Sequence, residues 1–219
     1  MLEAVPNACA GCRGSSYVDG PEGMVRCPEC LPDPIADILG RCSIPPRYQE
    51  CRVSGYAAPT RPLVAARDAI VQFISRYESG DGLLLHGPNG TGKTHLACAA
   101  LTHLITDRLE QGLFCDYRDL FRKVSDTYDG ESREADVIEP LMTVPVLLLD
   151  DLGSRRPTDW ALDTIGVVIG HRYNECLTTL CTTNLEGRGL TAAIGKRMHS
   201  RLMEMCTFVP VDGADWRKK

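Results

Sequence analysis

Gly87-Pro88-Asn89-Gly90-Thr91-Gly92-Lys93-Thr94 is the stretch on which the reading of this chain turns. It matches the pattern Gly-x₄-Gly-Lys-Ser/Thr at every fixed position. A short apolar run, Leu83-Leu84-Leu85-His86, leads into it. A helix is expected from Thr94 to about Leu109, with Ala97, Ala100, Leu101, Leu104 and Ile105 on one face. Glycines let successive backbone N–H groups curl around an anion without side-chain clash. The helix N-terminus adds unpaired donors and the positive end of its dipole. Lys93 can then reach the β- and γ-phosphates of ATP, and the Thr94 hydroxyl can ligate Mg²⁺. Gly87 through Thr94 are accordingly the expected nucleotide-binding positions, and a chance glycine turn would not carry the Lys-Thr pair in register.

Outward from this loop the text alternates between helical and strand patterns. Pro62 opens a helix carrying Leu63, Ala66, Ile70, Phe73, Ile74 and Tyr77, which Gly80 ends. Beyond the loop helix, Phe114 to Tyr117 reads as a strand, and a helix begins near Asp119. Val144 to Leu149 is a continuous apolar run of the kind a parallel strand buried on both faces requires. A helix over about 159–175, a β-branched strand over Leu177–Thr183, a helix over Thr191–Met205 and a strand over Thr207–Val211 complete the pattern. Strands alternating with helices predict an α/β fold, a parallel sheet with helices on both faces. Residues 62–219 form this domain, residues 35–61 are a proline-punctuated connector, and residues 1–34 are a cysteine-rich module.

A phosphate loop needs a second group for Mg²⁺. Leu147-Leu148-Leu149-Asp150-Asp151 supplies it: Asp150 ends the buried strand and is placed to hold Mg²⁺, and Asp151 is the candidate to polarise an attacking water. Thr182-Thr183-Asn184 ends the next strand, where the Asn184 side chain would face the γ-phosphate. Arg197 and Arg201 sit four apart on the last long helix. Like charges at that spacing repel by ~0.2–0.5 kcal/mol, so a nearby anion would account for them. Two solvated surface arginines are the plainer alternative.

Cys9-x₂-Cys12 and Cys27-x₂-Cys30 are two knuckles separated by 14 residues, with Tyr17-Val18 and Met24-Val25 as candidate short strands between them. This is close to zinc-ribbon spacing, in which four thiolates close a tetrahedral Zn²⁺ site. So few residues cannot bury a core of their own, so a metal would be what folds them. An iron–sulfur site or redox thiols remain as alternatives. The other seven of the 11 cysteines lie singly in apolar patterns and are expected in the core.

Hydrophobic residues make up 43% and charged residues 24% of the 219 positions, the balance of a globular protein. The first residues show no basic start followed by an apolar run, and no stretch approaches the ~18–20 apolar residues of a spanning helix. A cytoplasmic protein with no membrane contact is expected. The net charge of −5 disfavours a free-standing duplex-binding domain, which is usually basic.

Further residues carry a family likeness. They are His95-Leu96-Ala97 after the loop, Leu147 to Gly153, His171-Arg172-Tyr173, Ile194 to Leu202, and Asp215-Trp216-Arg217, with Ile44-Pro45-Pro46-Arg47-Tyr48 after the cysteines. Together they resemble the DnaC/DnaI/IstB clade of AAA+ proteins, along nearly the whole chain. The cysteine ribbon is similar to the N-terminal part of its helicase-loader branch. The resemblance implies an AAA+ ATPase that engages a replicative hexameric helicase, places it on single-stranded DNA, and self-associates through its ATP sites. It implies sensor 1 for Asn184, an arginine finger for Arg201, a sensor 2 arginine at Arg217, and a place among the nucleotide-binding positions for His95. Many AAA+ ATPases carry Glu where this chain has Asp151, which predicts slow hydrolysis. The N-terminal region is shorter than in full-length loaders, and there is little room for a C-terminal helical lid. A transposition helper that acts on DNA with a transposase is the alternative within the clade. A weakly hydrolysing ATP-binding adaptor is the alternative outside it.

Overall fold

The computed structural model describes residues 9, 11–12, 17–20, 23–27, 34–126, 134–154 and 159–218. Its centre is a sheet of five parallel strands in the order β4-β5-β6-β3-β7. These are β3 (Gly82–His86), β4 (Gly112–Asp116), β5 (Val146–Asp150), β6 (Thr178–Thr183) and β7 (Cys206–Pro210). Parallel pairing demands a crossover between consecutive strands. Helix α3 (Lys93–Arg108) supplies the first. Helices α4 (Tyr117–Asp126) and α5 (Glu134–Thr143) precede β5, and α6 (Asp159–Asn174) precedes β6. Helices α7 (Gly187–Ile194) and α8 (Lys196–Met205) precede β7.

The strands alternate between two cores. Val146 and Leu148 of β5 join a core with Leu83, Leu85 and helices α1 (Pro34–Arg41), α2 (Arg61–Arg76) and α3. Leu147 and Leu149 join the opposite core with Leu84, Tyr117, Leu120, Ile169, Met198 and Leu202 from helices α4 to α8. Every residue of β5 is buried, which is why Val146 to Leu149 run apolar without alternation. The expected α/β fold with helices on both faces is the one observed.

Three elements differ from expectation. The segment 35–61 is no loose connector: Cys42, Ile44, Cys51 and Tyr56 are buried in the α3-side core. The Cys42 carbonyl also accepts the Phe114 N–H at 2.7 Å, closing part of the outer edge of β4. The helix expected over Thr191–Met205 is two helices, because Gly195 takes φ 81°, ψ 154°, which ends α7 and starts α8 at a new angle. Helix α5 was not expected, since Pro140 stands inside it and its apolar face is short.

That second core also holds a charge. Arg172 of α6 is fully buried. Its guanidinium donates to the carbonyls of Leu141 at 2.9 Å and Val144 at 2.8 Å, beside the C-terminus of α5, and to that of Thr178 at 2.5 Å. Its Nε donates to Thr179 Oγ1 at 3.0 Å. A helix C-terminus carries the negative end of its dipole, which suits a cation. Burial still pushes the Arg172 pKa down to about 10.

In the cysteine-rich module, β1 (Tyr17–Gly20) and β2 (Gly23–Arg26) pair antiparallel as a hairpin. Cys30 lies outside the described residues. Among the described residues no helix is long and apolar enough to cross a membrane.

Candidate functional site

At the carboxyl ends of β3, β5 and β6 the loop 87–94 curls into α3 beside a cavity of about 700 Å³. The carboxyl end of a parallel sheet is the ordinary place for a ligand in such folds. Gly90 (φ 78°) and Gly92 (φ 92°) need left-handed backbone, and both are also hemmed in. A Cβ on Gly92 would lie 2.6 Å from the Tyr56 ring, and one on Gly90 would strike the Asp215 carboxylate. The Tyr56 hydroxyl donates to the Thr91 carbonyl at 2.7 Å, pinning the loop from the side, and burial pushes its pKa up to about 12. Asn89 is exposed at the loop tip.

Lys93 is buried, and its Nζ donates to the carbonyls of Gly87 at 2.8 Å and Pro88 at 2.7 Å. Burial lowers its pKa, while Asp151 and Asp150 pull it back up. The ammonium is thus held at the mouth of the loop, where an incoming phosphate can take over from the two carbonyls. Asp150 Oδ1 accepts from the Thr94 hydroxyl at 2.9 Å and from the Thr182 hydroxyl at 2.6 Å. Burial raises the Asp150 pKa; the two hydroxyl bonds act against this. Thr94 and Asp150 therefore stand together as oxygen donors of the kind Mg²⁺ takes. Strand β6 runs between β3 and β5, so its Thr182 reaches both acids: the Asp151 N–H donates back to Thr182 Oγ1 at 2.9 Å.

Asp151 sits at φ 60°, uncommon for a residue with a side chain. Both carboxylate oxygens are engaged. Asn184 Nδ2 donates to Oδ1 at 2.8 Å, and the Arg118 guanidinium pairs with Oδ2. Arg118 also donates from Nε to Ser154 Oγ at 3.2 Å, and Asp116 caps the start of α4 through the Arg118 N–H at 2.8 Å. At the other side of the cavity the C-terminal turn 216–218 returns to the loop, with the Trp216 N–H on the Gly90 carbonyl at 3.1 Å and Arg217 facing the cavity. His95 lines the same cavity, but its ring is committed to the segment before the sheet. Its Nε2 donates to the Arg52 carbonyl at 3.0 Å, which leaves Nδ1 to accept the Cys51 thiol at 3.3 Å.

Arg201 does not reach this cavity. It stands on α8 against α6, beside a separate groove that Lys196 and Arg197 also line. In the cysteine-rich module the sulfurs of Cys9, Cys12 and Cys27 lie within 4.8 Å of one another, and those of Cys9 and Cys27 are 3.7 Å apart. A tetrahedral Zn–S site has sulfurs ~3.8 Å apart, so these thiols fit that ion.

Several residues of the site escaped the sequence reading. Tyr48, Cys51 and Tyr56 come from the segment read as a connector, and only their aromatic and apolar character in a proline-rich stretch hinted at burial. Arg118 follows a strand end with no pattern to mark it.

A model of the IstB-like ATP-binding protein family matches residues 63–219, well over half of the sequence. The chain belongs to the IstB-like ATP-binding family. This IstB-like chain is 26% identical over 171 residues to the replicative helicase loader DnaC of Buchnera aphidicola subsp. Baizongia pistaciae, covering 75% of the chain and 68% of that protein. It is 29% identical over 119 residues to the replicative helicase loader DnaI of Bacillus subtilis, covering 52% of the chain and 38% of the loader. The crystal structure of the DnaC helicase loader superposes with a TM-score of 0.71 at 29% identity, over 77% of this chain and 100% of the crystallised chain. The IstB-like chain is thus an AAA+ ATPase with the P-loop fold of these loaders.

Proposed function

We propose that this protein is an ATP-switched helicase loader, which binds a replicative hexameric helicase and single-stranded DNA in the cytoplasm. One observation carries the reading: the likeness to a helicase loader spans the ATPase domain, and Arg201 of that domain stands outside its own nucleotide cavity. A cation so placed is available to a neighbouring chain's nucleotide, which ties ATP use to assembly.

The residues divide the work by position. The loop Gly87–Thr94 cradles the phosphates with backbone N–H groups, and Lys93 exchanges its two carbonyl partners for phosphate oxygens. Thr94 and Asp150 hold Mg²⁺, which supplies charge neutralisation at the phosphates when bound. Asn184 holds Asp151 at the end of β5, where the carboxylate orients the attacking water once Arg118 lets go of it. Arg217 faces the same nucleotide from the C-terminal turn, and Arg201 acts on the nucleotide of the next chain. His95 braces the wall of the cavity through Arg52 and Cys51. Cys9, Cys12 and Cys27, with Cys30, hold a structural Zn²⁺ that orders the module for partner binding.

Purified zinc-replete protein should retain the replicative helicase of its own source in a pull-down, and should gain single-stranded DNA affinity when ATP is added. Absence of helicase contact in both conditions would sink the loader reading. The IstB-like family match keeps a second reading in view, a transposition helper. ATP-dependent polymers on duplex DNA without helicase contact would favour that one.

A further inference from the structure

Helix interiors disfavour glycine relative to alanine, so Gly170 in the last part of α6 asks for a reason. A Cβ placed on it would lie 2.5 Å from Arg201 Nη1 and 3.2 Å from Arg201 Cζ. The Arg201 guanidinium therefore lies across bare helix backbone, in space that any side chain would fill. Further along the same helix, Arg201 Cζ stands 5.8 Å from the centre of the Tyr173 ring, within reach of a cation–π contact. Glu204 of α8, beside the Tyr173 hydroxyl, raises the Tyr173 pKa. Gly166 makes the comparison: a Cβ there would meet nothing within 4 Å.

We infer that Gly170 is a positioning residue for Arg201, forming with Tyr173 a slot that holds the guanidinium in one orientation on the α6–α8 face. This rests on the proposed action of Arg201 on a neighbouring chain's nucleotide. An arginine that must meet phosphate on another molecule works best if ordered beforehand, because orientation is lost when the side chain wanders among rotamers. Gly170 supplies that order by absence, and Tyr173 by its ring.

The test is steady-state ATP turnover of the full-length protein at concentrations where it self-associates. Gly170→Ala is expected to lower kcat by ~10–100-fold, as a small misplacement of a reacting group does, with KM for ATP unchanged. Tyr173→Leu should lower kcat in the same sense, and it carries the test if Gly170→Ala fails to fold. Gly166→Ala should turn over as wild type. Mixing Gly170→Ala chains, whose own loops are intact, with Lys93→Ala chains, whose Arg201 is correctly held, should restore turnover. A purely structural defect would not be rescued that way, and failure of rescue overturns the inference. Wild-type turnover by Gly170→Ala while Arg201→Ala is impaired overturns the slot and leaves the role of Arg201 standing. Wild-type turnover by Arg201→Ala removes both.

Discussion

Asp150 shows at the scale of one residue how function and stability oppose each other here. Burial raises its pKa above the value in an unfolded chain, and the bonds from Thr182 and Thr94 offset only part of that. Between the unfolded and folded pKa values the folded state binds the extra proton. Stability therefore falls as pH rises through that interval, and above it the ionised carboxylate is a cost. Asp150→Asn keeps an oxygen for both hydroxyls and removes the charge. It is expected to raise Tm of the nucleotide-free protein, by ~2–4 °C for each kcal/mol recovered, and to flatten that stretch of the stability–pH curve. The same variant should lose Mg²⁺-dependent ATP turnover. Scanning calorimetry across pH, with a turnover assay alongside, checks both halves. A lower Tm would mean that the Thr94 and Thr182 bonds outweigh the burial of charge.

Among the elements, two joints decide where the working residues stand. The first is Arg172, which ties α6 to the end of α5 and to the start of β6 through the carbonyls of Leu141, Val144 and Thr178. Arg172→Leu removes the donor from those carbonyls and is expected to cost about 1–3 kcal/mol for each carbonyl left without a partner. Urea denaturation should show the midpoint falling with an unchanged slope. Arg172→Lys keeps the charge without the planar fork and should fall between. The second joint is Gly195. Its φ of 81° with ψ of 154° is backbone that residues with a Cβ rarely adopt. Gly195→Ala is expected to destabilise by about 1–3 kcal/mol. By turning α8, it should also lower turnover in the self-associated protein, with nucleotide affinity retained in an equilibrium binding assay.

For the whole molecule, the body of the ATPase begins before the loop-bearing strand. Ile44 and Tyr56 are each worth ~1.5–3 kcal/mol as buried side chains, a large share of a typical ~5–15 kcal/mol stability. A chain starting at residue 34 is expected to fold and bind ATP. One starting at residue 62 lacks α1, the edge bond from Cys42 and the Tyr56 brace on Thr91, and should fail in both respects. Thermal unfolding and nucleotide titration of the two truncations decide this. Metal analysis should find one Zn²⁺ per chain, lost on Cys12→Ser, with ATP affinity unchanged, because none of the described residues of the module lines the nucleotide cavity.

The sequence by itself determined the parallel α/β sheet, because a continuous apolar strand and a glycine-rich turn before a helix are local patterns with few solutions. It also brought Lys93, Thr94, Asp150 and Asn184 forward as candidates through motif spacing, and the fold gathers them around one cavity. Only tertiary structure decided the rest. Arg118 meets Asp151 across 33 positions and Tyr56 meets Thr91 across 35, contacts that no local period encodes. His95 was read with the nucleotide, yet its two nitrogens are taken by Arg52 and Cys51. Gly195 breaks a helix whose apolar stripe runs on through it, since a hydrophobic pattern records which face is buried and is silent on backbone angle. Arg172 reads as a polar helix residue until the ends of α5 and β6 are brought around it.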